Sequence, residues 1–176
     1  MDKIDRSRFE NNKFKEEIET ILELCDDSEE MNISRSYFDV PIDEEEILAW
    51  EQKTGVTIPE DYKEWLRFSR ECRIDGPTAR FWRPKNFPSK YIPDDLVVIG
   101  EMVGDGELVC FSKESGQFVS FFEGSINLHY EDFKEVLKEI IESFRVSLGK
   151  PSKEYQDFLD KVGKKLEEFL RKEGKI

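Results

Sequence analysis

Apolar residues in this chain recur at two periods, and the switches between them divide it into blocks. Near the N terminus, Phe14, Ile18, Ile21, Leu22 and Cys25 follow the spacing i, i+4, i+7, i+8, i+11. That spacing lays them on one helical face and predicts a helix over residues 8–25. The polar run over residues 26–35 reads as a mobile linker. Residues 42–69 then hold two shorter helical patterns. Ile42 and Ile47 occupy the two positions of a hydrophobic staple. Between them, Asp43 can cap the first helix, with Glu46 reaching back to the cap. Gly55 ends that helix, because glycine takes the left-handed cap conformation without a steric penalty. Pro59 is expected at the first position of the second helix, where its missing N–H costs nothing. Glu60 and Asp61 fill the first turn, which the helix dipole favours. Tyr62, Trp65, Leu66 and Ser69 fall on one face.

Residues 72–95 are irregular. Pro77, Pro84, Pro88 and Pro93 punctuate them, which argues against a central strand there. Residues 78–82 read as one short strand inside a long loop, and a long loop in a compact domain is a candidate contact surface. In such a strand, one of Phe81 and Trp82 must point outward and could anchor a partner.

From Leu96 the period becomes that of strands. Runs over 96–102, 107–112 and 117–122 are joined by Gly104-Asp105-Gly106 and by Lys113-Glu114-Ser115-Gly116, both turn sequences. A last short strand is expected over 126–130. Two helical patterns close the chain. The first, over 131–148, carries Phe133, Val136, Leu137, Ile140, Ile141 and Phe144, and stops at Gly149-Lys150-Pro151. The second starts at Ser152, and its apolar face is Tyr155, Phe158, Leu159, Val162, Leu166, Phe169 and Leu170. It is expected to pack on the same domain, with self-association or partner binding as the alternative.

The order over residues 42–69 is distinctive: acidic cap, apolar-Glu, glycine, apolar-Pro, acidic pair, then Tyr62-Lys63-Glu64-Trp65-Leu66. Together with the strand-turn-strand run over 96–124, it resembles the SMI1/KNR4 family, the SUKH superfamily, over roughly residues 42–148. The resemblance implies an α+β fold: N-terminal helices, a central mostly antiparallel β-sheet and C-terminal helices. A domain is expected over 36–149, preceded by a helix and linker (1–35) and followed by the amphipathic helix (150–176), which lies beyond the part the resemblance covers. Ser69-Arg70-Glu71-Cys72 stands where the family usually has an Asn-Gly or Gly-Gly, so no binding role carries over to that loop.

Charge adds direction. The net charge is −13. From Lys150 onward there are 8 basic and 6 acidic residues, so residues 1–149 hold 19 basic and 34 acidic. Such a surface repels phosphate and argues against direct nucleic-acid binding. It attracts a basic partner instead, or keeps the chain soluble.

Three dispersed cysteines without a C-x-x-C pair indicate neither a disulfide scaffold nor a zinc site. The start lacks the apolar core of a signal peptide, and no run approaches a membrane span. The expected location is the cytoplasm.

Catalytic chemistry is not evident. The single histidine, His129, reads as a partly buried structural imidazole. There is no G-x-S-x-G elbow, no phosphate loop and no D-x-D-x-D-G calcium loop. No enzyme activity, cofactor or metal is expected. Many bacterial members of the resembled family are immunity proteins that neutralise a toxin, often a nuclease, encoded beside them. The resemblance therefore implies a protein partner, a basic toxin domain, covered by an acidic surface. The alternative is a regulatory or scaffold protein, as for eukaryotic relatives. Chosen by expected location and charge, the contact residues are Glu71, Asp75, Asp94, Asp95, Glu101, Asp105, Glu107 and Glu123, with Phe81 and Trp82.

Overall fold

The computed structural model describes residues 4–31, 36–74, 78–85, 91–102 and 106–173. After a 3-10 turn at Arg6–Arg8 come α1 (Lys15–Glu30), β1 (Tyr37–Phe38), α2 (Glu44–Thr54) and α3 (Glu60–Phe68). The sheet continues with β2 (Glu71–Ile74), β3 (Ala79–Lys85), β4 (Leu96–Met102), β5 (Glu107–Ser112), β6 (Phe118–Phe122) and β7 (Ser125–Tyr130). The chain closes with α4 (Phe133–Ser147) and α5 (Lys153–Lys172). The seven described strands form one antiparallel sheet in chain order, a meander. This is the expected α+β fold.

Strand alternation gives the sheet two apolar faces. On one, Phe81, Val97, Ile99, Val109, Phe111 and Phe118 join a cluster with residues of α1, α3 and α4. Phe133 of α4 lies at its centre, within 6 Å of the rings of Phe14, Tyr62, Trp65, Phe81 and Phe118. Tyr62 explains the tyrosine of the motif. Its buried hydroxyl lies 2.7 Å from the Trp82 carbonyl oxygen and 2.9 Å from that of Ile99. It holds β3 and β4 together beside a bulge between Val98 and Gly100. Gly100 itself admits no side chain, since a Cβ there would lie 2.5 Å from the Arg80 carbonyl oxygen and 2.6 Å from Phe81.

Several local expectations need correction. The first helix begins at Lys15 rather than residue 8, because the Asn12 carboxamide bonds backbone on both sides: its oxygen accepts from Phe14 N (2.9 Å) and its nitrogen donates to Glu64 O (2.7 Å). That helix also runs through Asp26–Glu30, expected as linker, since Ser28 continues the buried face. Asp43 holds the cap position through its carbonyl, with no side-chain cap bond. Glu46 turns to the Arg83 guanidinium, a stronger partner than a backbone N–H. Pro59 has ψ 138° and so precedes the second helix instead of opening it.

The departing segment 69–72 leads into a strand. Ser69 is buried and its hydroxyl lies 2.6 Å from Glu71 O. Pro84 does lie in a strand with neighbours on both sides. It is tolerated because pairing with β2 ends at Trp82 and pairing with β4 is irregular between Phe81 and Lys85.

The last helix buries none of its residues, and only its first turn meets α1 and α4. Ser152 caps it as expected, accepting from Tyr155 N at 3.1 Å. Phe158, Leu166 and Phe169 are each more than half exposed.

Candidate functional site

The outer sheet face gathers part of the expected contact set. Leu96, Val98, Cys110, Val119 and Phe121 form a second, smaller apolar cluster, with Trp82, Ile92 and Leu108 against it. Beside it lies a groove of about 730 Å3, lined by Tyr91, Ile92, Pro93, Leu108, Phe121, Phe122 and the turn at Glu123-Gly124. Tyr91 at its rim is 73 % exposed. Glu123 and Gly124 both take positive φ (49° and 86°) and make the two-residue hairpin between Phe122 and Ser125.

The named residues divide as follows. Phe81 is 1 % exposed and faces the helices, so it is no outward anchor. Register decides this, because Phe81 pairs with the core-facing Cys72. Trp82 takes the other face, half-buried, with the Lys85 ammonium 5.0 Å from its ring centroid. Asp94 and Asp95 are exposed, and their carbonyl oxygens accept from the Lys113 ammonium and backbone N–H. Glu101 faces Arg80 directly across β3 and β4 and pairs with it at 3.1 Å. Glu71 lies 3.9 Å from Arg83. Glu107 belongs to the opposite face, with Val109 and Phe111, and its charge acts on Tyr130 and Glu139. Asp75 and Asp105 lie outside the described residues. The outer face is therefore apolar at its centre and of mixed charge around it.

The acidic surface lies elsewhere. Within α1 stand eight carboxylates and one lysine, a net −7 against −13 for the whole chain. Lys134 pairs with Glu17 and Lys150 with Asp27, both at 2.8 Å. Glu19, Glu23, Asp26 and Glu30 form no ion pair among the described residues. They stand at i, i+4, i+7 and i+11, one straight row on the helix. The row lines a groove of about 1020 Å3 with Ile4, Arg6, Phe9 and Leu22. Sequence reasoning missed it because the linker reading cut the row between Glu23 and Asp26.

This row works against the helix that bears it. Like charges three and four residues apart destabilise a helix by about 0.2–0.5 kcal/mol per pair. Asp26 and Glu30 also stand at the negative end of the dipole, with no base in the last turn.

His129 is exposed on the edge strand β7, not partly buried as expected. The three cysteines are buried and none is in a disulfide. Burial pushes the Cys72 and Cys110 thiols up to about 12, which keeps both protonated at neutral pH. Among the described residues, no three His, Cys, Asp or Glu side chains are placed to hold a metal ion. No helix among them is long and apolar enough to cross a membrane.

Helices cover one face of the seven-strand meander, and the other face carries the smaller apolar cluster. Residues 41–148, more than half of the chain, match the model of the SMI1 / KNR4 family (SUKH-1), and the chain belongs to that family. No curated protein matches it. The family is generally non-enzymatic, and its membership points to protein partners.

Proposed function

We propose that this chain is an immunity protein: it neutralises a basic toxin, of the kind that cleaves nucleic acid, by laying the acidic row of α1 over the toxin's phosphate-binding surface. SUKH domains are commonly immunity proteins. The observation that carries the reading is the row Glu19, Glu23, Asp26, Glu30, like charges that form no ion pair among the described residues. A cationic partner supplies the missing counter-charge. The arrangement also steers encounter, because opposite fields raise association rates at low salt. No chemistry by this chain is required; occupying the site suffices. The expected location of such a protein is the cytoplasm, beside the toxin gene's product.

The test uses the reading frame adjacent to this gene. Its C-terminal region is expressed with the wild-type chain and with a variant carrying Glu19→Gln, Glu23→Gln, Asp26→Asn and Glu30→Gln. Toxicity is relieved by the wild type and not by the variant, while the variant's Tm stays equal or rises. Full protection by the variant would remove α1 from the mechanism. Absence of toxicity would remove the immunity reading.

The apolar groove beside Tyr91 and Phe121 favours a second reading, a regulatory or scaffold protein that takes an apolar peptide on its outer sheet face, at a groove whose one lining carboxylate is Glu123. Tyr91→Ala would then abolish capture of the partner, with Glu23→Gln leaving it intact.

A further inference from the structure

The register of the sheet lays one row of side chains across its outer face. Tyr37 pairs with Arg73, Arg73 with Arg80, Arg80 with Glu101, Glu101 with Leu108, and Leu108 with Phe121. Residues paired on neighbouring strands share a face. Leu108 and Phe121 belong to the smaller apolar cluster, so the whole row looks away from the helices. Its chemistry changes along its length, from cationic on β2 and β3 to apolar on β5 and β6.

The cationic half runs against the charge of the chain. Residues 70–85 carry five bases and two carboxylates, while the whole chain has a net charge of −13. Arg73 and Arg80 stand directly opposite each other, and like charges so placed destabilise a sheet. Glu101 on the far side relieves Arg80, at 3.1 Å. Arg73 is exposed and forms no ion pair among the described residues. Its neighbour on β1 is Tyr37, an exposed phenol that brings no charge. Glu71, two residues along β2 on the same face, lies 3.9 Å from Arg83 instead.

An anion supplies what this pair lacks, and a guanidinium fork matches the two oxygens of a carboxylate. A polyanion is disfavoured, because Glu71 and Glu101 flank the arginines and the chain as a whole repels phosphate. The row also places an apolar contact at a set distance. Leu108 and Phe121 line the outer groove, and Glu123 at its far end repels an acid there. Strands lie about 4.8 Å apart, so backbone to backbone Arg80 is about 10 Å from Leu108 and Arg73 about 19 Å from Phe121, a span of about three to six extended residues.

We infer that Arg73 and Arg80 form a carboxylate-binding subsite of the outer face, occupied by an acidic segment of a protein partner whose apolar residue fills the groove beside it. The inference uses no residue of α1. It extends the outer-face reading, on which its apolar contact rests.

A phage-displayed library of random peptides about twelve residues long, ample for that spacing, is panned on the full chain. Enriched peptides carry Asp or Glu about three to six residues from Leu, Ile or Phe. Measured as synthetic peptides by fluorescence anisotropy, they bind about tenfold more weakly to the variant Arg73→Gln with Arg80→Gln, as expected for losing a charged hydrogen bond. Amidating the peptide's acid costs the same in the wild type and nothing further in the variant. Arg73→Gln alone breaks no ion pair, so it lowers affinity while the Tm stays equal or rises. No enrichment overturns the inference, as do enriched peptides that lack an acid or are indifferent to the arginine changes. Basic peptides lost with Glu19→Gln and Glu23→Gln would move binding to α1 and overturn it as well. Oligo(dT) binding abolished by the arginine changes would assign the pair to phosphate, against the inference. Acidic peptides that need the arginines but ignore Tyr91→Ala would keep the subsite and remove the groove reading; peptides that need Tyr91 but ignore the arginines would do the reverse.

Discussion

Helices α4 and α5 carry the same kind of pattern and meet opposite surroundings. Both have a side-chain N-cap, Asp132 accepting from Glu135 N at 3.0 Å and Ser152 accepting from Tyr155 N at 3.1 Å. Both present a continuous apolar stripe. In α4, Phe133, Val136, Leu137, Ile140, Ile141 and Phe144 are all buried, whereas α5 buries nothing. Periodicity thus states that a helix has an apolar face; it says nothing about what covers that face. Coverage is decided by the sheet, whose inner face is finite and is already filled by α1, α3 and α4.

The sharpest way to break this contrast is to truncate the same residue type in both helices. Phe133→Ala removes the ring around which five other aromatic rings are arranged. A loss of about 3–5 kcal/mol is expected from such a deletion in a packed core. Phe169→Ala removes a ring that is 54 % exposed, and it should change stability by no more than about 0.5 kcal/mol. Urea unfolding of both variants at low concentration checks this. Equal losses would mean that α5 docks on the domain after all.

Glycines give a second, smaller contrast. Gly100→Ala forces a Cβ against the Arg80 carbonyl and the Phe81 ring, and the backbone oxygen cannot swing aside. Overpacking of this kind costs about 1–3 kcal/mol. Gly163→Ala in α5 meets open space and should favour the helix by roughly 0.5–1 kcal/mol. Chemical denaturation reads the first change, and far-UV circular dichroism of dilute protein reads the second. A neutral Gly100→Ala would show that the β3–β4 bulge is looser than its contacts indicate.

Elements with a half-buried face were legible without coordinates. The strands from Leu96 to Tyr130 alternate or run apolar over five or more residues, and Gly55, Gly116 and Gly149 mark ends where φ is positive. Where the signal is short it disappears. The strand Glu71–Ile74 offers only Cys72 and Ile74 as an alternating pair, and Tyr37–Phe38 is a two-residue pairing that register alone reveals. Pro84 misled because the ban on proline applies to paired positions, and this one sits where pairing fails on both sides.

The candidate site was the least legible part. Choosing carboxylates by their place on the sheet selected Glu71 and Glu101, which have arginine partners. The acidic row on α1 follows the same spacing as the apolar stripe beside it. It was visible to anyone who carried the helix past Cys25.

The smallest effect concerns a polar position of α4. Burial raises the Glu139 carboxyl above its ordinary range, the nearby Glu107 adds to this, and a hydrogen bond from the Tyr130 hydroxyl at 2.7 Å only partly opposes it. A carboxyl raised on folding is easier to bury protonated than ionised. Its contribution to stability is therefore complete below the unfolded-state value, near 4.3, and is lost as the pH rises through the folded value. Glu139→Gln keeps an oxygen for Tyr130 to donate to and removes the charge. The variant should melt higher than the wild type at pH 7–8, with the gap closing as the pH falls toward 4. A gap at Glu139 that widened in acid would reverse the sign and mean that the Tyr130 hydrogen bond outweighs burial.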